Sequence, residues 1–519
     1  MSDTSYDVII VGGGHNGLTA AAYLSRAGLS VLLLERQDEV GGASVSAEAF
    51  PGTGARLSRY SYLVSLMPQQ IIDDLGLRIT LARRRYSSYT PKPGTDTGLL
   101  VDNLDDTATA ESFARIGAAG DVEGWTELYQ RTHRLAAALW PTVTQPLATR
   151  SQVRELIGDD SIVRDFLERP LGEVVERSVQ DDLVRGVVLT DGLISTFASA
   201  HQEDLQQNIC FLYHVIGGGT GAWDVPVGGM GEVSGALEAA ARAGGATIET
   251  GADVIAVDGG KVTWRTGKRK ESTARAEHVL WAAAPGVLDR LMNRKPGPSE
   301  GAQVKINLLL DRLPELLDTH VTPQAAFGGT FHINETYTQL ESAYQTALSG
   351  QIPSPAPAEI YCHSITDPSI LSPELHASGA HTLTVFSLQT PDRLLADRNP
   401  DQARTELERG VLDSLSSVLA EPIEDALMRD QDGRLCIETK TTHDLEETLR
   451  MPGGSIFHGP LSWPFAEDDE DLSTPAARWG VQSPYDGILI AGAGSRRGGG
   501  VSGLGGYHAA QAVLDMRSK

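Results

Sequence analysis

Gly12, Gly14 and Gly17 stand in G-x-G-x-x-G spacing, directly after the apolar run YDVIIV (6–11) and before an Ala- and Leu-rich stretch (18–27). In a strand–turn–helix, each glycine has a mechanical role. The first permits a tight turn, the second lets the backbone approach a pyrophosphate, and the third lets the helix pack closely on the strand. The helix start adds unpaired N–H groups and a positive dipole end for the phosphates. Glu35 follows Gly14 by 21 residues, at the end of a second apolar run, SVLLL (30–34). A carboxylate there can hold ribose hydroxyls, and it repels a 2′-phosphate, which disfavours NADP. The spacing predicts a dinucleotide site, with Arg36 beside the acid. Gly41, Gly42 and Ala43 come next and let the chain pass closely over a longer cofactor.

A second glycine cluster closes the chain. GILIAGAG (487–494) reads as a strand, and AGAGSRRGGGVSGLGGYHAAQAVL (491–514) as a turn followed by a helix. This segment sets Gly492, Ala493, Gly494, Val501, Ser502 and Gly503 against the same site. Its helix start can face a cofactor ring and stabilise negative charge there. Three further groups carry possible chemistry. His458, in GGSIFHG, can donate, accept or shuttle a proton near neutral pH, or it can be a structural histidine bonded to a carbonyl. Arg496 and Arg497 can hold a carboxylate or polarise a carbonyl, or balance the acidic run AEDDEDLS (466–473). His214 and Trp223 flank a glycine turn and either line a substrate channel or serve as core residues.

The elements that must position these groups are read from composition and periodicity. The chain has 519 residues, 41% of them hydrophobic, enough for a sizeable core. Lys and Arg total 43 against 68 Asp and Glu, a net charge of −25. Such acidity repels nucleic-acid backbones and anionic lipid, so neither partner is expected. Cys210, Cys362 and Cys436 are odd in number and far apart, which supports neither a disulfide framework nor a zinc knuckle. No metal site is expected. The first residues lack a basic, apolar leader, and no stretch reaches the ~20 apolar residues of a membrane span. A cytoplasmic location is expected. Residues 103–215 read as mainly helical, while 303–310 and 382–388 read as strands of a second sheet. Two interleaved units follow: a dinucleotide-binding one over 1–80, 220–300 and 440–519, and a substrate unit over 81–219 and 301–439.

The run VIIVGGGHNGLTAAAYLSRAGLSVLLLERQDEVGGA (8–43) resembles the phytoene desaturase-like flavoproteins of the amine oxidase superfamily. More closely, it is similar to the pyridine nucleotide-disulfide oxidoreductase domain-containing protein 2 group, related to carotenoid ketolases and isomerases. The stretches FLYHVIGGGTGAWDVPVGGMGEVSGAL (211–237), DLEETLRMPGGSIFHG (444–459) and 487–514 agree, so the likeness spans nearly the whole chain. The resemblance implies an α/β protein with a Rossmann-type, glutathione reductase-like FAD-binding domain interleaved with an α+β substrate domain. It implies FAD held without a covalent bond by the glycines and Glu35, with Val254 in the strand that reaches the adenine. The chain departs from the group at Ser495-Arg496-Arg497 and at the acidic insertion, which weakens any transfer of carotenoid substrates.

The expected activity is dehydrogenation, by hydride transfer to the flavin, of a small to medium apolar organic or carotenoid-like molecule. The electron acceptor is left open between oxygen, a quinone and another protein, and a homodimer is among the expected states. No Cys-x4-Cys pair is present, so disulfide reduction is excluded. The alternatives are an amine or amino-acid oxidase, an FAD-dependent isomerase, and a non-catalytic FAD-bound scaffold.

Overall fold

The computed structural model describes residues 4–267 and 270–518; residues 1–3, 268–269 and 519, which fall within the expected dinucleotide-binding segments, lie outside it. Thr4–Val11 and Val31–Leu34 pair in parallel, and so do Thr4–Val11 and Lys270–Trp281. Thr247–Glu249 extends one side of this sheet and Ile488–Ile490 joins Lys270–Trp281, both in parallel. An antiparallel hairpin, Ala252–Asp258 and Lys261–Thr266, is attached to the other end of Lys270–Trp281. Parallel strands are covered on both faces, which is why their sequences are nearly unbroken apolar runs. Val8, Ile10, Val31 and Leu33 face one apolar cluster, while Ile9, Val11, Leu32 and Leu34 face another. The helices His15–Arg26, Met230–Ala243 and Leu504–Arg517 pack on the first face.

A second sheet runs in the order Ile437–Lys440, Val304–Leu310, His381–Ser387, Ala358–Tyr361, Thr330–Ile333, Tyr86–Pro91, Gly98–Asp102. Its pairs are antiparallel except Thr330–Ile333 with Tyr86–Pro91. Alternation along each strand sorts its side chains by face. Val304, Ile306, Leu308, Phe331, Ile333, Ala358, Ile360, Leu383 and Val385 make one apolar cluster. Lys305, Asn307, His332, Glu359, Tyr361, Thr384 and Phe386 take the opposite face and are buried there too. A buried sheet face bearing lysine, glutamate and histidine is costly unless those groups are paired or used. That face looks onto the cavity described below.

The helical region between the two strand sets, including Val122–Leu139, Asp182–Thr190 and Gln206–Val215, shares its core with the helices of the first sheet. The three cysteines are free and buried. Among the described residues no helix is long and apolar enough to cross a membrane.

Candidate functional site

One long cavity begins at the Gly12–Gly14 turn and ends at the polar face of the second sheet, with both Glu35 and Glu359 in its wall. At the turn, the three glycines differ in what a side chain would meet. Gly12 has φ +105°, and a Cβ there would lie 3.0 Å from the Ala283 backbone nitrogen. A Cβ on Gly17 would sit 2.0 Å from the Gly12 carbonyl oxygen. Those two glycines are demanded by the protein itself. Gly14 is different: its Cβ would meet only Gly42 Cα, at 4.0 Å. Among the described residues nothing packs into that space, which leaves room for a ligand against the helix start. Asn16, in the first turn of the helix and 4% exposed, lines the cavity with its Oδ1 unpartnered.

Glu35 fixes the turn from the adjacent strand. Its Oε2 accepts the Gly13 N–H at 2.7 Å and its Oε1 accepts the Gln37 N–H at 2.7 Å. The carboxylate is therefore held in one orientation, with lone pairs left for hydroxyl donors. Arg36, Gly42, Ala43 and Val254 line the same end. Gly41, at φ +123°, donates its N–H to the Gly13 carbonyl and holds the second glycine pair against the first. Ala493 and Val501 line the cavity from the C-terminal segment. Gly492, Gly494, Ser502 and Gly503 do not form its wall. Gly492 makes room for the Ala282 carbonyl and Gly494 for the Pro285 ring. Ser502 accepts the Leu504 N–H, and Gly503, at φ +71°, begins the last helix.

His458 lines the cavity in a left-handed conformation, φ +63°, and its Nδ1 has no hydrogen-bond partner. Burial, with a smaller contribution from His15, pushes its pKa down to about 4, so the ring is neutral. His15, which opens the first helix, is likewise half-buried in the wall, and desolvation there lowers its pKa to about 4, with Nε2 at 3.1 Å from the Gly500 carbonyl. His214 and Trp223 both line the cavity, rings 4.9 Å apart, and the indole N–H donates to the His214 carbonyl.

Arg496 and Arg497 do not reach the cavity, and the expectation that they meet the substrate is corrected. Arg496 forks onto Glu470 at 2.7 Å and 2.9 Å. Arg497 is buried among the carbonyls of Thr142 and Gln145, and burial lowers its pKa to about 9. The acidic run that contains Glu470 is a clamp, since Glu467 also binds Arg150 and Asp468 binds Ser151.

The far end of the cavity holds groups that spacing alone did not reveal. Strand register lines up Lys305, Phe386, Glu359 and His332 in one row, with Thr384, Tyr361 and Thr330 in the next. Lys305 donates to the carbonyls of Ser58 and Tyr60 at 2.9 Å and 2.8 Å and lies 5.3 Å from the Tyr62 ring centre. Burial lowers its pKa to about 7. Arg84 donates to the Trp223 carbonyl and to Thr330, and Tyr361 donates to Glu359. Burial raises Asp191 to about 8 and Glu359 to about 7. The available signal was the charged residues at alternate positions of otherwise apolar strands: VKINLLL, AEIY and TFHI.

A Rossmann turn facing a buried polar sheet across one cavity is an arrangement of the amine oxidase fold. Residues 10–70 match the NAD(P)-binding Rossmann-like domain family. Putrescine oxidase shares the fold at a TM-score of 0.58 and 18% identity over 99% of both chains. An uncharacterized protein of Mycobacterium tuberculosis (strain H37Rv) is 51% identical over 99% of this chain and 97% of its own length. The chain belongs to one family with that protein. The Rattus norvegicus pyridine nucleotide-disulfide oxidoreductase domain-containing protein 2 is similar at 29% identity over 98% of this chain and 93% of its own. The resemblance read from the glycine motifs holds.

Proposed function

We propose that this protein is an FAD-dependent dehydrogenase acting on a small to medium organic molecule that carries a polar group. The observation that carries the reading is the open space at Gly14, continuous with a cavity whose far wall is polar. Gly12, Gly14, Gly42 and Glu35 would hold the pyrophosphate and ribose, Val254 the adenine end, and Ala493 and Val501 the ring. Bound FAD would supply the two-electron acceptor for a substrate C–H bond. Lys305, with a pKa near neutrality, can take a proton from the substrate or hold one at its Nζ. Neutral His458 can accept a hydrogen bond but is a poor acid at pH 7. Trp223 and Tyr62 exclude water from the middle of the cavity. A hydrocarbon polyene does not suit this site, because it would bury Arg84, Lys305 and Glu359 against carbon.

The test is the colour and redox response of the purified protein. Flavin absorbance near 450 nm, bleached anaerobically by one member of a metabolite panel, is the expected result. A folded protein that remains colourless when offered FAD defeats the reading. Amine oxidation is the second reading, favoured by the Tyr62 and Tyr361 rings within the cavity, 4.6 Å apart, and by the fold shared with putrescine oxidase. Hydrogen peroxide release across an amine panel tests it.

A further inference from the structure

On the polar face of the second sheet, His332, Glu335 and Glu359 converge so that one donor atom of each lies within 4.8 Å of the other two. All three are buried, at 4%, 1% and 2% exposure. His332 and Glu359 are direct neighbours across two strands. Glu335 arrives from the turn that follows the His332 strand. That turn is set by Asn334, at φ +55°, whose side-chain amide donates to the Ala356 carbonyl.

Neither carboxylate oxygen of Glu335 has a hydrogen-bond partner. Thr190 is the hydroxyl near both glutamates, and its one proton goes to Glu359 Oε1 at 3.3 Å. Glu359 Oε2 accepts from the Tyr361 hydroxyl. An unpaired carboxylate in the interior is among the costliest arrangements a fold can hold. The surrounding charge sharpens the problem. The Glu359 charge pushes up the pKa of both Asp191 and Glu335, Asp191 also pushes up Glu335, and Arg84 acts against the rise at Asp191 and Glu359. Without a cation, burial keeps these acids protonated near neutral pH; once ionised, three carboxylates against one guanidinium would leave two formal negative charges for a cation to balance.

We propose that His332, Glu335 and Glu359 bind a divalent first-row transition-metal ion in the cavity wall. A dication cancels the excess charge and gives Glu335 the partner it lacks. His332 is suited to ligation: burial holds it neutral, with a pKa of about 3, and Nδ1 is engaged by the Thr90 hydroxyl at 2.9 Å, which leaves Nε2 for the ion. Such support of the non-ligating nitrogen is what metal-binding histidines commonly have. One imidazole with two carboxylates selects Mn2+, Fe2+ or Zn2+ over Ca2+ or Mg2+, which favour oxygen alone. Ligand bonds of about 2.0–2.3 Å put donors up to about 4.6 Å apart, close to the spacing present. Because His332 and Glu359 line the cavity, the open coordination positions face it.

The test uses the full-length protein, stripped with a chelator and titrated calorimetrically with MnCl2 and with ZnCl2. One equivalent per chain is expected for the wild type, with affinity reduced at least tenfold in Glu335→Gln. The electron paramagnetic resonance signal of Mn2+ should lose its free-ion amplitude at one equivalent of wild-type protein, a measurement that needs no variant. A folded wild type that takes up neither ion, or a Glu335→Gln variant that binds as the wild type does, overturns the proposal. The inference does not rest on the flavin: a colourless protein that binds one metal refutes only the flavin reading.

Discussion

A methyl group added at Gly14 would touch almost nothing of the protein, and one added at Gly17 would collide with the Gly12 carbonyl. The two substitutions therefore separate cofactor binding from folding. Gly14→Ala is expected to leave the unfolding free energy of the apoprotein within about 1 kcal/mol of wild type. Its flavin affinity should fall at least tenfold, as read by a titration of apoprotein with FAD. Gly17→Ala should destabilise the apoprotein itself by about 1–3 kcal/mol, the usual cost of forcing atoms into a packed contact. If Gly14→Ala binds FAD unchanged, the space beside that residue is not the pyrophosphate site. Lys305 offers a second discriminating change. Lys305→Met should retain bound flavin and lose most turnover. In the wild type, turnover that uses the free amine rises as pH passes the Lys305 pKa of about 7; a pH–rate profile of the variant should lack that limb. Arg496, tied to Glu470 outside the cavity, should tolerate Arg496→Ala without loss of kcat.

The two end segments of the chain meet as helices. Gly506, on Leu504–Arg517, lies so close to His15–Arg26 that a Cβ would sit 1.8 Å from the Asn16 carbonyl oxygen. Gly506→Ala must push these helices apart. A loss of about 1–3 kcal/mol in urea unfolding is expected, together with weaker flavin retention, because Asn16 lines the cavity beside the turn. Unchanged stability would mean that the helices shift freely, and the tight seam would carry no energy. The glycine-lined elements were legible in the sequence because their information is local: turn, cap and close approach each demand glycine at a fixed position. The second sheet was legible only as scattered strands. Which residues share its face depends on register among segments from 86 to 440, so Lys305, Phe386, Glu359 and His332 form a row that no spacing in the chain announces. The arginine pair misled for the same reason. Its sequence neighbours are glycines of the site, and its spatial neighbours are Glu470 and the carbonyls of Thr142 and Gln145.

Across the whole molecule, burial keeps many imidazoles neutral. His15, His214 and His458 are lowered to about 4, His332 and His363 to about 3, and His508 well below the ordinary value. In the unfolded chain each of the six takes up a proton as pH falls below about 6.5. In the folded chain they resist until pH nears 4. The unfolded state therefore binds more protons in that window, and stability drops as pH falls, by up to about 1.4 kcal/mol per pH unit for each group. Asp191, Glu335 and Glu359 act in the opposite sense. Their folded pKa values are raised, so the native state holds protons that the unfolded chain lacks until near pH 4. Six groups outweigh three, and the unfolding free energy should be lower at pH 5 than at pH 7 in urea titrations of chelator-treated protein. Equal or greater stability at pH 5 would contradict the burial of these rings. With Mn2+ present at saturation, Glu335 and Glu359 exchange their protons for the ion. Their compensating contribution then vanishes, and the decline between pH 7 and pH 5 should be steeper than in the metal-free protein.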